Sequence, residues 1–216
     1  MSEQVLKGGH VVPHHFESAE QAFESSKTGI WLFLATEVLM FGGLFVAYII
    51  FRALYPVAFH EASLHLNRVM GAINTVVLIS SSFTMAMAIQ KVQENKKNAA
   101  VGLLVFTLLC AATFMVIKYF EYSHKIHEGL LPAGLFTFEG IKENHAKLFF
   151  SLYFMMTGLH GIHVLVGIGI ITWITIRTAK GNFSNEYYTP VELTGLYWHL
   201  VDLIWIFLFP LLYLVG

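Results

Sequence analysis

Three groups of ionisable residues stand inside stretches that are otherwise apolar, and their types and spacing define the chemistry open to this chain. The last stretch reads Glu192-Leu-Thr-Gly-Leu-Tyr-Trp-His199-Leu-Val-Asp202-Leu-Ile-Trp205. His199 and Asp202 are three apart and so share a helix face, with Glu192 seven residues earlier and nearly in line. Glu37, in Thr36-Glu-Val-Leu-Met-Phe41, lies roughly 10 Å along a helix axis from the start of its apolar run, at about 1.5 Å per residue. A carboxyl at that depth can be a protonated acid bonded to a neighbouring helix, or a group that moves protons or ions. His160 and His163 share a face of Thr157-Gly-Leu-His-Gly-Ile-His163. Such a pair can chelate a metal or bind haem. It can equally hydrogen-bond to acids on neighbouring helices, with Glu121, Glu192 and Asp202 as candidates. A metal site calls for a further ligand at the same depth, and His199 is the only other histidine well inside an apolar stretch.

The elements that must position these groups are membrane helices. Of 216 residues, 56% are hydrophobic and 12% charged, against about 25% charged in a soluble domain. An ionisable side chain in the bilayer core costs at least about 2.5–3.5 kcal/mol, so each must face protein or water. Net charge is −1, which gives no reason to expect a nucleic-acid partner. The single cysteine, Cys110, excludes an internal disulfide framework and a cysteine-cluster metal site.

Five runs are long enough to span, since about 20 apolar residues cross the hydrocarbon core. They cover about 30–54, 69–90, 99–120, 148–176 and 191–215, which predicts an all-α polytopic bundle in one domain, 28–216, after a polar N-terminal tail, 1–27. No short apolar run with a cleavage site precedes the first span, so no removable signal peptide is expected. An odd number of spans puts the termini on opposite sides. With the N-terminus inside, inner segments hold Lys7, Lys27, Lys91, Lys96, Lys97, Arg177 and Lys180. The outer ones hold Arg52, Arg68, Lys118, Lys125, Lys142 and Lys147, so the positive-inside rule gives nearly a tie.

The short loop 91–98 makes spans two and three antiparallel neighbours. The longest connection, 121–147, carries Gly129, Pro132, Gly134 and Gly140. Thr189-Pro190-Val191-Glu192 has the form of a capping box, with Thr189 as N-cap and Glu192 completing it, which offers Glu192 a structural role. Pro210 removes one backbone bond and should bend the last helix. Ser and Thr on the second span, and Gly42, Gly43, Gly158, Gly161, Gly167 and Gly169 elsewhere, suit close helix approach.

Together these segments resemble subunit III of the haem–copper respiratory oxidases, the cytochrome c oxidase type. Thr36-Glu37-Val38-Leu39-Met40-Phe41 is similar to the family's Ser-Glu-Val-Leu-Phe-Phe, whose glutamate is its carbodiimide-reactive carboxyl. Asn74-Thr75-Val76-Val77-Leu78, Glu121-Tyr122 and Thr157-Gly158-Leu159-His160-Gly161-Ile162-His163-Val164 match in order. Tyr197-Trp198-His199-Leu200-Val201-Asp202-Leu203-Ile204-Trp205 resembles Tyr-Trp-His-Phe-Val-Asp-Val-Val-Trp. The chain departs from the seven-helix form by lacking its first two helices, and is similar to the five-helix bacterial version, quinol oxidases included.

The resemblance implies an N-terminus inside, a C-terminus outside, and a multi-pass place in a bacterial cytoplasmic membrane. It implies a non-catalytic subunit that binds no cofactor or metal itself, with haem and copper held by partner subunits of a complex that reduces O2 to water and pumps protons. Such a subunit packs against catalytic subunit I, stabilises it and supports proton uptake. Glu37 is then the buried carboxyl linked to uptake. Glu121, His160, His163, Glu192, His199 and Asp202 form a structural polar network, and Arg177 meets a phospholipid headgroup. Whether cytochrome c or quinol supplies the electrons does not follow from these residues. The competing readings are a haem-binding membrane cytochrome, on His160, His163 and His199, and a small transporter coupled to protons through Glu37.

Overall fold

The computed structural model describes residues 5–6, 10–11, 19–130 and 145–215. Two-residue strands β1 (Val5–Leu6) and β2 (His10–Val11) pair antiparallel, and every longer element among the described residues is helical. The helices are α1 (Ala19–Leu54), α2 (Pro56–Ser63), α3 (Arg68–Gln93), α4 (Lys97–His127), α5 (Ala146–Ala179) and α6 (Thr189–Phe209). Among the described residues, five helices are long and apolar enough to cross a membrane, as the sequence predicts. About half of the tail expected over 1–27 falls outside the described residues, as do Pro132, Gly134 and Gly140 of the long connection.

The first four spanning helices, α1, α3, α4 and α5, run past the apolar stretches expected from sequence. α1 begins at Ala19, inside the polar segment, and α4 continues through Glu121 to His127, shortening the expected 121–147 connection. Three helices stop by the same device. A residue with positive φ follows the C-cap (Asn95 at 57°, Gly129 at 76°, Gly181 at 78°). The next amide then bonds back five residues, Lys96 to Lys91, Leu130 to Lys125 and Asn182 to Arg177. In the 94–96 turn, bonds from Lys91 and Lys96 hold the Glu94 carboxyl down at about 2. α6 starts differently from expectation. Its N-cap is Tyr188, no side chain caps it, and Pro190 sits in the first turn, so the Thr189–Glu192 capping box does not form. At its far end Pro210 opens a π-helical turn, Pro210–Leu214, in place of α-helix.

The short α2 packs its Phe59 ring against Tyr48 of α1 and Phe149 of α5. α3 lies along α4 and α6, and α5 along α4 and α6, while α1 rests on α5 and α6. The core runs through α6, whose Trp198 and Trp205 are fully buried. Close approach follows only part of the expected glycine set. A Cβ on Gly167 would sit 2.6 Å from the Trp198 ring, and one on Gly71 would sit 2.7 Å from Phe209. Gly42, Gly43, Gly161 and Gly169 have nothing within 4 Å of such an atom, and Gly158 meets only the Tyr122 hydroxyl at 3.8 Å. Gly167→Ala should therefore destabilise the bundle by about 1–3 kcal/mol through overpacking. Gly169→Ala, its control in thermal unfolding of the purified chain, should not; equal midpoints for the two would refute the packing argument.

Candidate functional site

Glu37 and His163 meet where α1 crosses α5. Glu37 Oε2 lies 2.9 Å from His163 Nε2, and both side chains are nearly enclosed, at 13% and 14% exposed. His163 Nδ1 lies 2.8 Å from the Leu159 carbonyl oxygen, which can only accept, so Nδ1 carries a proton. Nε2 then faces the carboxyl with two states open to it. Either a neutral imidazole accepts from a protonated Glu37, or an imidazolium donates to a carboxylate. Each state is net neutral, and each holds one proton on the Glu37–Nε2 axis. The Tyr197 hydroxyl donates to the His163 carbonyl at 3.0 Å, and Phe41 presents its ring to the imidazole, which fixes α6 and α1 around the pair. A cleft of about 440 Å3 borders it, lined by apolar side chains that include Phe33, Ile162 and Val166. The sequence offers His163 acids on other helices; its partner is Glu37.

The remaining residues expected to form one polar network fall into separate groups. On α6, His199 Nδ1 is 2.7 Å from Ser82 Oγ and Asp202 Oδ2 is 3.5 Å from Ser81 Oγ, both on α3. Trp198 Nε1 donates to Ser81 Oγ at 3.1 Å, and Trp205 Nε1 donates to Thr75 Oγ1 at 3.1 Å. The polar face of α6 is therefore read by hydroxyls of α3 and not by the α5 histidines. His160 lies between Phe114 and Trp205, and neither of its ring nitrogens has a hydrogen-bond partner among the described residues. Glu192 pairs with Lys27 at 3.2 Å and so ties the start of α6 to α1. That pair is part-exposed and contributes at most about 1 kcal/mol. Arg177 lies over the Trp173 ring at 5.1 Å.

Glu121, expected in the polar network, gathers lysine and tyrosine partners that the sequence did not suggest. Its carboxylate accepts from Lys118 Nζ at 2.8 Å, from Tyr213 at 2.6 Å and from Tyr153 at 3.0 Å, and Lys125 Nζ stands 3.7 Å away. Lys118 also donates to the Tyr213 hydroxyl and sits over the Trp205 ring. Both lysines, counted from sequence as loop charges, are buried. The signal was present as Lys118, Glu121 and Lys125 on one helical face.

Among the described residues no three His, Cys, Asp or Glu side chains come together as a metal site. The whole-chain comparisons then decide the family. The family model described as cytochrome c oxidase subunit III matches residues 3–216. The chain belongs to that family. It is 34% identical to the cytochrome c oxidase subunit 3 of Synechocystis sp. over 188 residues, 87% of this chain and 74% of the relative. It is 31% identical to the quinol oxidase subunit 3 of Bacillus subtilis over 193 residues, covering 87% of this chain and 86% of that one. A heme-copper oxidase subunit I+III of Aeropyrum pernix matches 88% of this chain at 31% identity, over 22% of its own length. The chain is thus a subunit III of the haem–copper oxidases, of the cytochrome c or quinol oxidase type. It is a multi-pass membrane part of an oxidoreductase complex of the respiratory chain, associated with other oxidase subunits. These relatives do not favour the cytochrome or transporter readings.

Proposed function

We propose that this subunit III packs against catalytic subunit I in a bacterial cytoplasmic membrane, stabilises it, and supports its proton uptake through Glu37. The observation that carries the proton role is the Glu37–His163 pair, which holds one proton between two groups without changing net charge. Moving that proton between Glu37 and His163 Nε2 leaves the pair neutral, so the shift creates no uncompensated charge in a medium of low dielectric. The relative from Aeropyrum pernix, named as one I+III chain, supports a partnership with subunit I. Haem and copper belong to the partner subunits in this reading, and Arg177 with Trp173 offers a phospholipid a cation beside an aromatic ring. An N-terminus inside is favoured by the Glu121 cluster. With Lys118 and Lys125 withdrawn into the bundle, four basic residues remain at the far end against seven at the N-terminal end.

Glu37→Gln tests the assignment. The amide can still donate to a neutral His163 Nε2, so the complex should assemble and keep its thermal midpoint. The shared proton is lost, so turnover and proton uptake of the purified oxidase should fall several-fold, about 2–10-fold if uptake is assisted and not gated by this group. Failure to assemble would make Glu37 a structural acid, and unchanged turnover would remove its role in uptake. A complex purified through a tag on this chain should show haem absorbance, and the chain alone none.

A further inference from the structure

A second cleft, of about 630 Å3, opens at the opposite end of the bundle from the α1 N-terminus, between the start of α3 and the end of α4. Its wall includes Lys125, Glu121, Ser123, His124 and His127 of α4, with His65 and Asn67 from the turn before α3. Lys125 is 2% exposed, yet among the described residues its ammonium reaches no carboxylate oxygen closer than 3.7 Å, the distance to Glu121 Oε1. Glu121 cannot serve it fully, because that carboxylate is already engaged by Lys118 at 2.8 Å and by two tyrosine hydroxyls. One buried carboxylate therefore faces two buried ammonium groups. Among the described residues Glu128 is the other acid near it, but its side chain is about a third exposed and lies 3.1 Å from His124 Nε2. The helix ends roughly cancel. The C-terminus of α4 disfavours an anion, and the N-terminus of α3 favours one. Asn67 Oδ1 takes the Val69 and Met70 amides at 3.1 Å, so those amides are spent. What remains is a desolvated ammonium whose one carboxylate contact is long and shared, at the wall of a cleft that sets Ser123 and His127 beside Leu66, Met70 and Phe120.

We infer that this cleft binds a phosphate group, held by Lys125 with Ser123 and His127 at its mouth. A phosphate supplies strong acceptor oxygens to an ammonium that lacks a close one, and a charge-assisted bond in a partly dry site is about twice as strong as a neutral one. The position at the membrane end suits the headgroup of an anionic phospholipid, and the same chemistry would admit free inorganic phosphate. The test uses the oxidase complex purified through a tag on this chain. It is titrated with short-chain phosphatidylglycerol, with and without inorganic phosphate as competitor, and bound lipid is counted by native mass spectrometry. Lys125→Gln keeps the Lys118–Glu121 pair and should weaken lipid retention about tenfold, whereas Lys125→Arg keeps it. His127→Glu changes only an exposed side chain and puts a negative charge at the mouth, so it should also weaken retention. Loss of the lipid to millimolar inorganic phosphate identifies the site as one for soluble phosphate. Retention against phosphate, with loss in the two variants, identifies it as a lipid headgroup site. Retention equal to that of the unmodified complex in either Lys125→Gln or His127→Glu overturns the assignment.

Discussion

Glu121→Leu should destabilise this subunit by about 3–5 kcal/mol, because it strands Lys118 and Lys125 as buried charges without a carboxylate. The mechanism matters more than the sum of lost hydrogen bonds. Lys118 is 7% exposed, and its other contacts among the described residues are the Tyr213 hydroxyl and the Trp205, Tyr153 and Tyr213 rings, none of which carries a full negative charge. The two lysines should not respond alike. Lys125 borders the cleft at the bundle end and can turn its ammonium toward water, as long basic side chains do at a membrane interface. Lys118 lies two turns further in. The double variant Glu121→Leu with Lys118→Met should accordingly recover most of the loss, while Glu121→Leu with Lys125→Met should recover little. Replacing all three by apolar residues of similar volume should come within about 1–4 kcal/mol of the natural chain, in either direction, since a complete buried ion cluster is weakly stabilising at best. Thermal unfolding of the purified subunit, followed by tryptophan fluorescence, reads each step. Glu121→Leu with an unchanged midpoint would mean that the lysines are hydrated, and the buried-cluster account would fail.

The same cluster shows what the sequence could and could not reveal. Spans were legible because about 20 apolar residues in a row have few alternatives in a chain with 12% charge. The cost of Glu37, His163 and Asp202 was legible for the same reason. Their partners were not. Periodicity says which residues of one helix share a face, but five helices can be packed in several orders, and Glu37 and His163 are 126 positions apart. Only the packing of α1 on α5 brings them together. Lys118 and Lys125 misled because a lysine near the end of a span ordinarily reaches out to the interface, and the acid that draws them inward lies between them. The glycines failed differently. A glycine permits close approach but does not require it, so Gly167 against Trp198 and Gly169 against nothing read alike in sequence. The α6 cap was lost to geometry of one residue, since the chain enters the helix at Tyr188 and Glu192 turns to Lys27 instead of its own backbone.

Trp205→Ala should rank beside Glu121→Leu, at about 3–5 kcal/mol, because this one ring is where four helices of the bundle register against each other. Its indole nitrogen donates to Thr75 of α3, Phe114 of α4 meets its plane at 85° with centroids 4.9 Å apart, and His160 of α5 lies 5.4 Å away. Lys118 stands 4.5 Å above the same ring, so removing it also takes the aromatic face from a buried cation. The loss therefore combines a cavity with a weakened charge cluster, and the two parts can be separated. Trp205→Phe keeps an aromatic face and most of the volume but gives up the bond to Thr75. That hydroxyl remains satisfied as a donor to the Gly71 carbonyl at 2.9 Å, so the cost should be only about 1–2 kcal/mol. In Trp205→Ala combined with Lys118→Met, the electrostatic part of the loss is no longer incurred, and the penalty relative to Lys118→Met alone should be smaller than the penalty in the natural background. Additive losses would place Lys118 outside the influence of Trp205 and reduce the ring to a space-filling role. A coupling of about 1 kcal/mol or more would make Trp205 the link between the packing of α6 and the buried charge of α4.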